Sequence, residues 1–169
     1  MLTHYVHRAA AVAVCALMAA CASNSPFPPK VMDTVPPGVQ FEAWRDAGPS
    51  NPAGKSDAGL RLELAGRIIQ TIKDEKGVVV VAEQLPIVTQ PVYGPTDENL
   101  GRKGNYEFAF LYPGELSTQA LSSGQRFVVV GTTASRRPFV VNGKPKTEPF
   151  LVADCVHIVS GKTYCVAQQ

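Results

Sequence analysis

The sequence predicts a mainly β protein: a small, OB-like, partly open β-barrel with one short helix, preceded by a Pro-rich tether. Three observations lead there. From Leu60 onward apolar and polar residues alternate with period two. Runs of valine and aromatic residues recur between Gly and Pro, as strands do between turns. Between the third and fourth of these runs, residues 115–123 lack Gly and Pro and place Leu116, Ala120 and Leu121 at helical spacing.

The elements follow in order. Leu62, Leu64, Gly66, Ile68 and Ile72 fall on one face of a first strand, with Arg61, Glu63, Arg67, Thr71 and Lys73 on the other. Lys73-Asp74-Glu75-Lys76-Gly77 is a polar turn into residues 78–83, whose four consecutive valines suit a strand buried on both faces. Pro86 ends that strand, and residues 86–104, with Pro and Gly throughout, read as a long loop. Tyr106, Phe108, Phe110 and Tyr112 then form a stripe at strand spacing, a core pattern rather than a binding platform. After Pro113-Gly114 comes the short helix, closed by Gly124 as the residue just past its end. Residues 126–133 form a β-branched strand with Gly131 at a bulge or bend. Residues 136–146 make a hairpin around Asn142-Gly143. Residues 150–159 and 163–166 are two further strands joined by Ser160-Gly161-Lys162. This order, β-β-β-α-β-(hairpin)-β-β, is that of the OB fold.

Composition excludes several classes. The chain has 169 residues, 45% hydrophobic and 18% charged, with a formal charge of +2. That is too apolar and too neutral for a disordered chain. It also lacks the concentrated basic excess of a dedicated nucleic-acid binder, so nucleic acid is not an expected partner. Four cysteines are too few for a disulfide scaffold.

The amino terminus is a targeting segment. His4, His7 and Arg8 precede residues 9–20, a run of Ala, Val, Leu, Met and Cys. Twelve residues are too few to span about 30 Å of hydrocarbon, but they suit the apolar region of a signal peptide. The run ends in Leu17-Met18-Ala19-Ala20-Cys21, which resembles the lipobox of bacterial lipoproteins. That resemblance implies cleavage before Cys21, with acyl chains on its sulfur and its new amine, enough for stable anchoring. Ala22, where an Asp would retain the protein at the inner membrane, points to the outer membrane. Three segments are therefore expected: a cleaved signal peptide (1–20), a lipidated amino terminus and Pro-rich tether (21–58), and a β-barrel domain (59–169). Phe41 and Trp44 are the tether residues expected to pack onto the domain.

Chemistry-bearing patterns are few. Cys155 and Cys165 sit ten apart around the Ser160-Gly161 turn, opposite each other in a hairpin. A structural disulfide is expected there, ahead of two buried free thiols and well ahead of a redox site. His157 is the single His downstream of Cys21, so multi-His metal sites cannot form, and its place among Val156, Ile158 and Val159 suits a structural role. The sequence has no GxSxG elbow, phosphate loop or dinucleotide fingerprint. Asp97 and Glu98 are neighbours in a polar loop, and Asp154 has no visible partner. No catalytic residues, metal or cofactor are expected, and the protein reads as a non-enzyme. Arg136, Arg137, Lys144 and Lys146 surround Phe139 on the basic hairpin. They form either an anion-binding finger, for anionic lipid, lipopolysaccharide or peptidoglycan, or a solvated hairpin, the simpler of the two.

Several stretches together resemble the starvation-lipoprotein (Slp) family. They are Gly66-Arg67-Ile68-Ile69, Ala82-Glu83-Gln84-Leu85-Pro86, Tyr93-Gly94-Pro95, residues 104–110, Phe127-Val128-Val129-Val130-Gly131, Gly143-Lys144-Pro145 and Val152-Ala153-Asp154-Cys155-Val156-His157-Ile158. The likeness covers about residues 60–159 together with the lipobox. Where the family often carries a Trp after the position of Ile158, this chain has Val159. The resemblance implies an outer-membrane lipoprotein linked to starvation or stress, held by acyl chains on Cys21 and facing the periplasm. Its role would be envelope maintenance or stress adaptation through binding. The alternative is an accessory subunit of a larger cell-envelope assembly.

Overall fold

The computed structural model describes residues 25–37, 41–46, 59–89, 92–98, 101–159 and 161–166. Residues 1–20, Cys21 and residues 47–58 lie outside the described part. The strands are β1 (Arg61–Asp74), β2 (Gly77–Leu85), β3 (Ile87–Val88), β4 (Gly94–Pro95), β5 (Glu107–Tyr112), β6 (Arg126–Val141), β7 (Lys144–Ile158) and β8 (Thr163–Cys165). Two short helices, α1 (Pro29–Met32) and α2 (Phe41–Asp46), precede them, and a 3₁₀ turn, Thr118–Leu121, links β5 to β6.

β1 pairs antiparallel with β2 and β6, β2 with β5, and β6 with β7. β5 then pairs with β7 in parallel, Ala109 opposite Phe150, so these five strands form a hydrogen-bonded ring. β8 extends the sheet beyond β7. The architecture is the mainly β, OB-like one that the strand order predicts.

The ring interior is built by alternation. Leu62, Leu64 and Ile68 of β1 meet Val80 and Ala82 of β2, Phe108 and Phe110 of β5, and Phe127 and Val129 of β6 in one cluster. The aromatic stripe is core, with Phe108, Phe110 and Phe127 packed ring against ring. Gly66 sits opposite Phe127. A Cβ there would lie 2.3 Å from the Glu83 carbonyl oxygen and 3.3 Å from the Phe127 ring, so a larger residue would push the β1–β2 ladder apart. The 3₁₀ turn caps the barrel, its buried Leu121 carbonyl accepting from Thr71 Oγ1 at 2.6 Å.

The outer faces are also covered, by the chain itself. Val79, Val81, Ala109 and Leu111 point outward and pack with Val141 and Phe150. This happens because β6 and β7 run on past the ring as a long two-stranded arm, turning at Asn142-Gly143. Both turn residues have positive φ, 49° and 76°, as a tight hairpin requires. A register shift between Ala134 and Arg137 bends the arm over β1, β2 and β5, where the Gln70 side chain holds its tip near Val140 and Asn142. On the other side, Ala65, Val128, Val130 and Cys155 pack under Phe27 and Val31.

Three expectations need correction in detail. Ile72 does not share a face with Leu62, Leu64 and Ile68. The β1–β2 register shifts between Ile68 and Gln70, and the extra residue moves Ile72 outward to join Val79. The loop 86–104 contains a short ribbon, β3 paired with β4. The helical content is larger than the single helix expected, because α1 and α2 form in the stretch read as tether. Phe41 and Trp44 enter the ring core through α2, and residues 25–37 lie as a strap across β1, β6 and β7. The two both-face-buried runs, Val78–Val81 and Phe127–Val130, leave apolar outer faces that burial under these segments removes from water.

Candidate functional site

OB folds bind ligands on the face of their second and third strands and through the loops at its two ends. In this chain the corresponding face, β2 with β5, lies under the arm. The open part of that surface is a cleft of about 830 Å³ between the β1–β2 turn and the loop after β5. Lys73, Glu75 and Lys76 line one wall, and Pro113, Leu116 and Thr118 the other. Ser117 shapes that second wall: its hydroxyl accepts from the Gln119 amide and starts the 3₁₀ turn. Both charge signs, the Ser117 and Thr118 hydroxyls and the apolar Pro113 and Leu116 line the cleft.

The four basic residues of the arm do not converge. Arg136 donates to the Arg45 carbonyl of α2, and Lys146 pairs with Glu107. The Arg137 guanidinium lies over the Phe150 ring, 4.5 Å from its centroid. Lys144 stands exposed beside the turn. The arm therefore uses these charges mainly to seat itself on α2 and β5.

Two polar seams escaped the sequence reading. At the α2 seam, the guanidiniums of Arg45 and Arg102 lie 5.0 and 4.0 Å from the centroid of the Tyr106 ring. Arg102 also donates to the side chain and the carbonyl of Gln84, and pairs with Glu42 of α2. Glu148 is buried beside Asn105, and burial raises its carboxyl above the usual carboxylate range. At the strap seam, Tyr93 donates to Glu63 at 2.6 Å. Burial raises the Glu63 carboxyl, and burial together with Glu63 raises the Tyr93 hydroxyl. Thr163 Oγ1 reaches the Pro26 carbonyl at 3.3 Å. Arg61 pairs with Asp154 at 3.1 Å, which supplies the partner the sequence did not reveal.

Cys155 and Cys165 are joined by a disulfide across directly opposed positions of β7 and β8. Beside it is a pocket of about 300 Å³ whose roof is Pro28 and Val31 of the strap. His157 is half-buried, with Nδ1 2.9 Å from Thr163 Oγ1, and burial lowers its pKa below the usual histidine value. Asp97 pairs with Arg126 rather than with Glu98. Among the described residues no three His, Cys, Asp or Glu side chains stand close enough to hold a metal ion. Cys21 lies outside the described residues.

No family model and no curated relative matches the chain. Solved structures do. The mitochondrial single-stranded DNA-binding protein Rim1 of S. cerevisiae aligns at 14% identity over 60% of this chain and 95% of its own, with a TM-score of 0.34. The small single-stranded DNA-binding protein of Streptomyces coelicolor aligns at 16% identity over 59% of this chain and 94% of its own, also at 0.34. The expectation that nucleic acid is no partner rested on bulk charge. Matches to single-stranded DNA-binding proteins run against it, and it is withdrawn. Net charge describes a whole chain, whereas binding depends on local surface. At this identity and TM-score the likeness carries no ligand over to this chain.

Proposed function

We propose that this chain is an outer-membrane lipoprotein of the Slp type, non-enzymatic and periplasm-facing, serving envelope maintenance or stress adaptation as a binding module. One observation carries the reading: the Leu17-Met18-Ala19-Ala20-Cys21 lipobox behind a cationic start and a short apolar run. The Slp-like stretches support it, since they coincide with fold-determining positions. Gly66 faces Phe127, Gly131 lies at a β6–β7 register shift, and Cys155 forms the disulfide. The cleft at the β1–β2 turn lies at the far end of β1 from the strap, and in an anchored protein it opens away from the membrane.

Replacing Cys21 with Ser tests the reading. The variant is expected to lose palmitate labelling and to move from the outer-membrane to the soluble periplasmic fraction. A Cys21→Ser protein that still sediments with outer membranes after a high-salt wash would overturn it.

A further inference from the structure

The strap begins close to Cys21, and that distance limits where the ring can sit. Cys21 and Pro26 are five residues apart, so even a fully extended chain spans at most about 18 Å. From Pro26 the chain is attached to the ring: the Pro26 carbonyl accepts from Thr163, and Phe27 is 5% exposed. The headgroup layer between hydrocarbon and water takes up about 5–8 Å. An acylated Cys21 therefore leaves at most about 13 Å between the bilayer surface and the strap side of the ring.

The surface on that side is unusual. Among the described residues, large apolar side chains are exposed at Val88, Val92 and Val140. Val140 is on the arm. Val88 (37% exposed) and Val92 (63%) are on or beside the β3–β4 ribbon. Val92 adjoins Tyr93, which packs with Phe27 and Val31 of the strap, and Val88 pairs with Gly94 on its other side. Lys30 is exposed on α1 of the strap, and Lys162 is exposed next to Thr163, which contacts the strap at Pro26. Apolar tips beside a strap that carries exposed lysines suit a bilayer interface, where alkyl groups meet the acyl boundary and ammonium groups meet phosphates.

We infer that the β3–β4 ribbon is a second membrane contact, with Val88 and Val92 dipping into the interface and the strap side of the ring lying flat on the lipid. The inference rests on acylation of Cys21. Anchor and ribbon together fix the orientation of the ring, whereas a long tether would leave it free to tumble above the surface.

The test uses the full chain, processed and acylated in cells, purified in detergent and reconstituted into phosphatidylethanolamine–phosphatidylglycerol vesicles. With Cys155 and Cys165 bonded, a cysteine introduced at Val92 is the single thiol to label with an environment-sensitive fluorophore. Glu75→Cys, roughly 30 Å along β1 from the strap-covered Ala65, is the reference. Vesicles carrying nitroxide lipids should quench the probe at position 92 strongly and the probe at position 75 little. Protein that floats with vesicles but shows equal quenching at both positions would overturn the second contact and leave the anchor standing. Protein that fails to float would overturn the anchor and the inference together.

Discussion

The two outer faces of the ring are covered in physically different ways. The arm over β2 and β5 is a continuation of β6 and β7, and its residues pair with each other from Arg137–Glu148 to Val141–Lys144. Its underside is held by Phe150 and Val141. The strap over β1, β6 and β7 makes turn bonds within itself, Val31 N to Pro28 O and Asp33 N to Pro29 O. Buried Phe27 and Val31, with a few side-chain hydrogen bonds, hold it to the ring. Peeling back the arm exposes apolar surface and removes Phe150 from the strand that closes the ring. Peeling back the strap exposes apolar surface and breaks side-chain hydrogen bonds such as Thr163 to Pro26, but removes no residue from the ring strands. The arm therefore belongs to the global folding unit, and the strap is a segment that opens locally.

The widest gap between the two should appear on truncating one phenylalanine in each. Phe150→Ala removes a fully buried ring beside the β5–β7 closure and should cost about 3–5 kcal/mol of global stability, read from urea unfolding. Phe27→Ala should barely move the urea midpoint while sharply raising hydrogen exchange in residues 25–37. Equal midpoint losses would erase the distinction.

A smaller effect probes the support beneath the strap. The Cys155–Cys165 bond holds β8, whose Thr163 contacts Pro26. Reduction should lower stability by about 2–3 kcal/mol on the chain-entropy account. It should also loosen residues 25–37 more than the arm. An unchanged melting temperature with and without reductant would mean that β8 is held by packing alone.

The smallest effect is a pH dependence confined to the strap seam. Burial raises the Glu63 carboxyl, so the folded state binds its proton more tightly than the unfolded chain does. That contribution is full below the ordinary carboxylate value and is lost as pH rises through the raised one. With His157 replaced by Gln, to remove the opposing protonation of a histidine whose pKa burial lowers, exchange in residues 25–37, corrected for its intrinsic pH dependence, should therefore slow as pH falls from 7 toward 5. Glu63→Gln should flatten the trend, and an undiminished trend in that variant would assign it to another group.

Much of the ring was legible because its signals are local. Period-two alternation placed Leu62, Leu64, Phe108 and Phe110, and the spacing of Cys155 and Cys165 around a turn placed them opposite each other. Four successive valines demanded burial on both faces, which the fold provides. What covers those faces was not legible, since it depends on chain distant in sequence. Pro-rich composition suggested an extended spacer, yet Phe27 and Val31 lie within it and bury against Val128 and Val130. The shift that moves Ile72 outward left no mark, because Ile68 and Ile69 are both apolar and either could have been the extra residue. The site was less legible than the fold. Lys73 and Lys76 read as turn residues and Thr118 as part of the short helix, and only the tertiary approach of two loops makes them a cleft. Glu63 looked like an ordinary exposed-face acid, and nothing local marked it as covered.

The parallel seam between β5 and β7 also sets an order of events for the growing chain. Ala109 and Phe150 meet across some forty intervening residues. The ring is thus closed by a contact that cannot form until β6 and most of β7 exist. Until then β5 presents an unpaired edge, and Phe27 and Val31 have no β7 and β8 floor on which to lie. The strap, made early, cannot take its final place until β7 and β8 have been made.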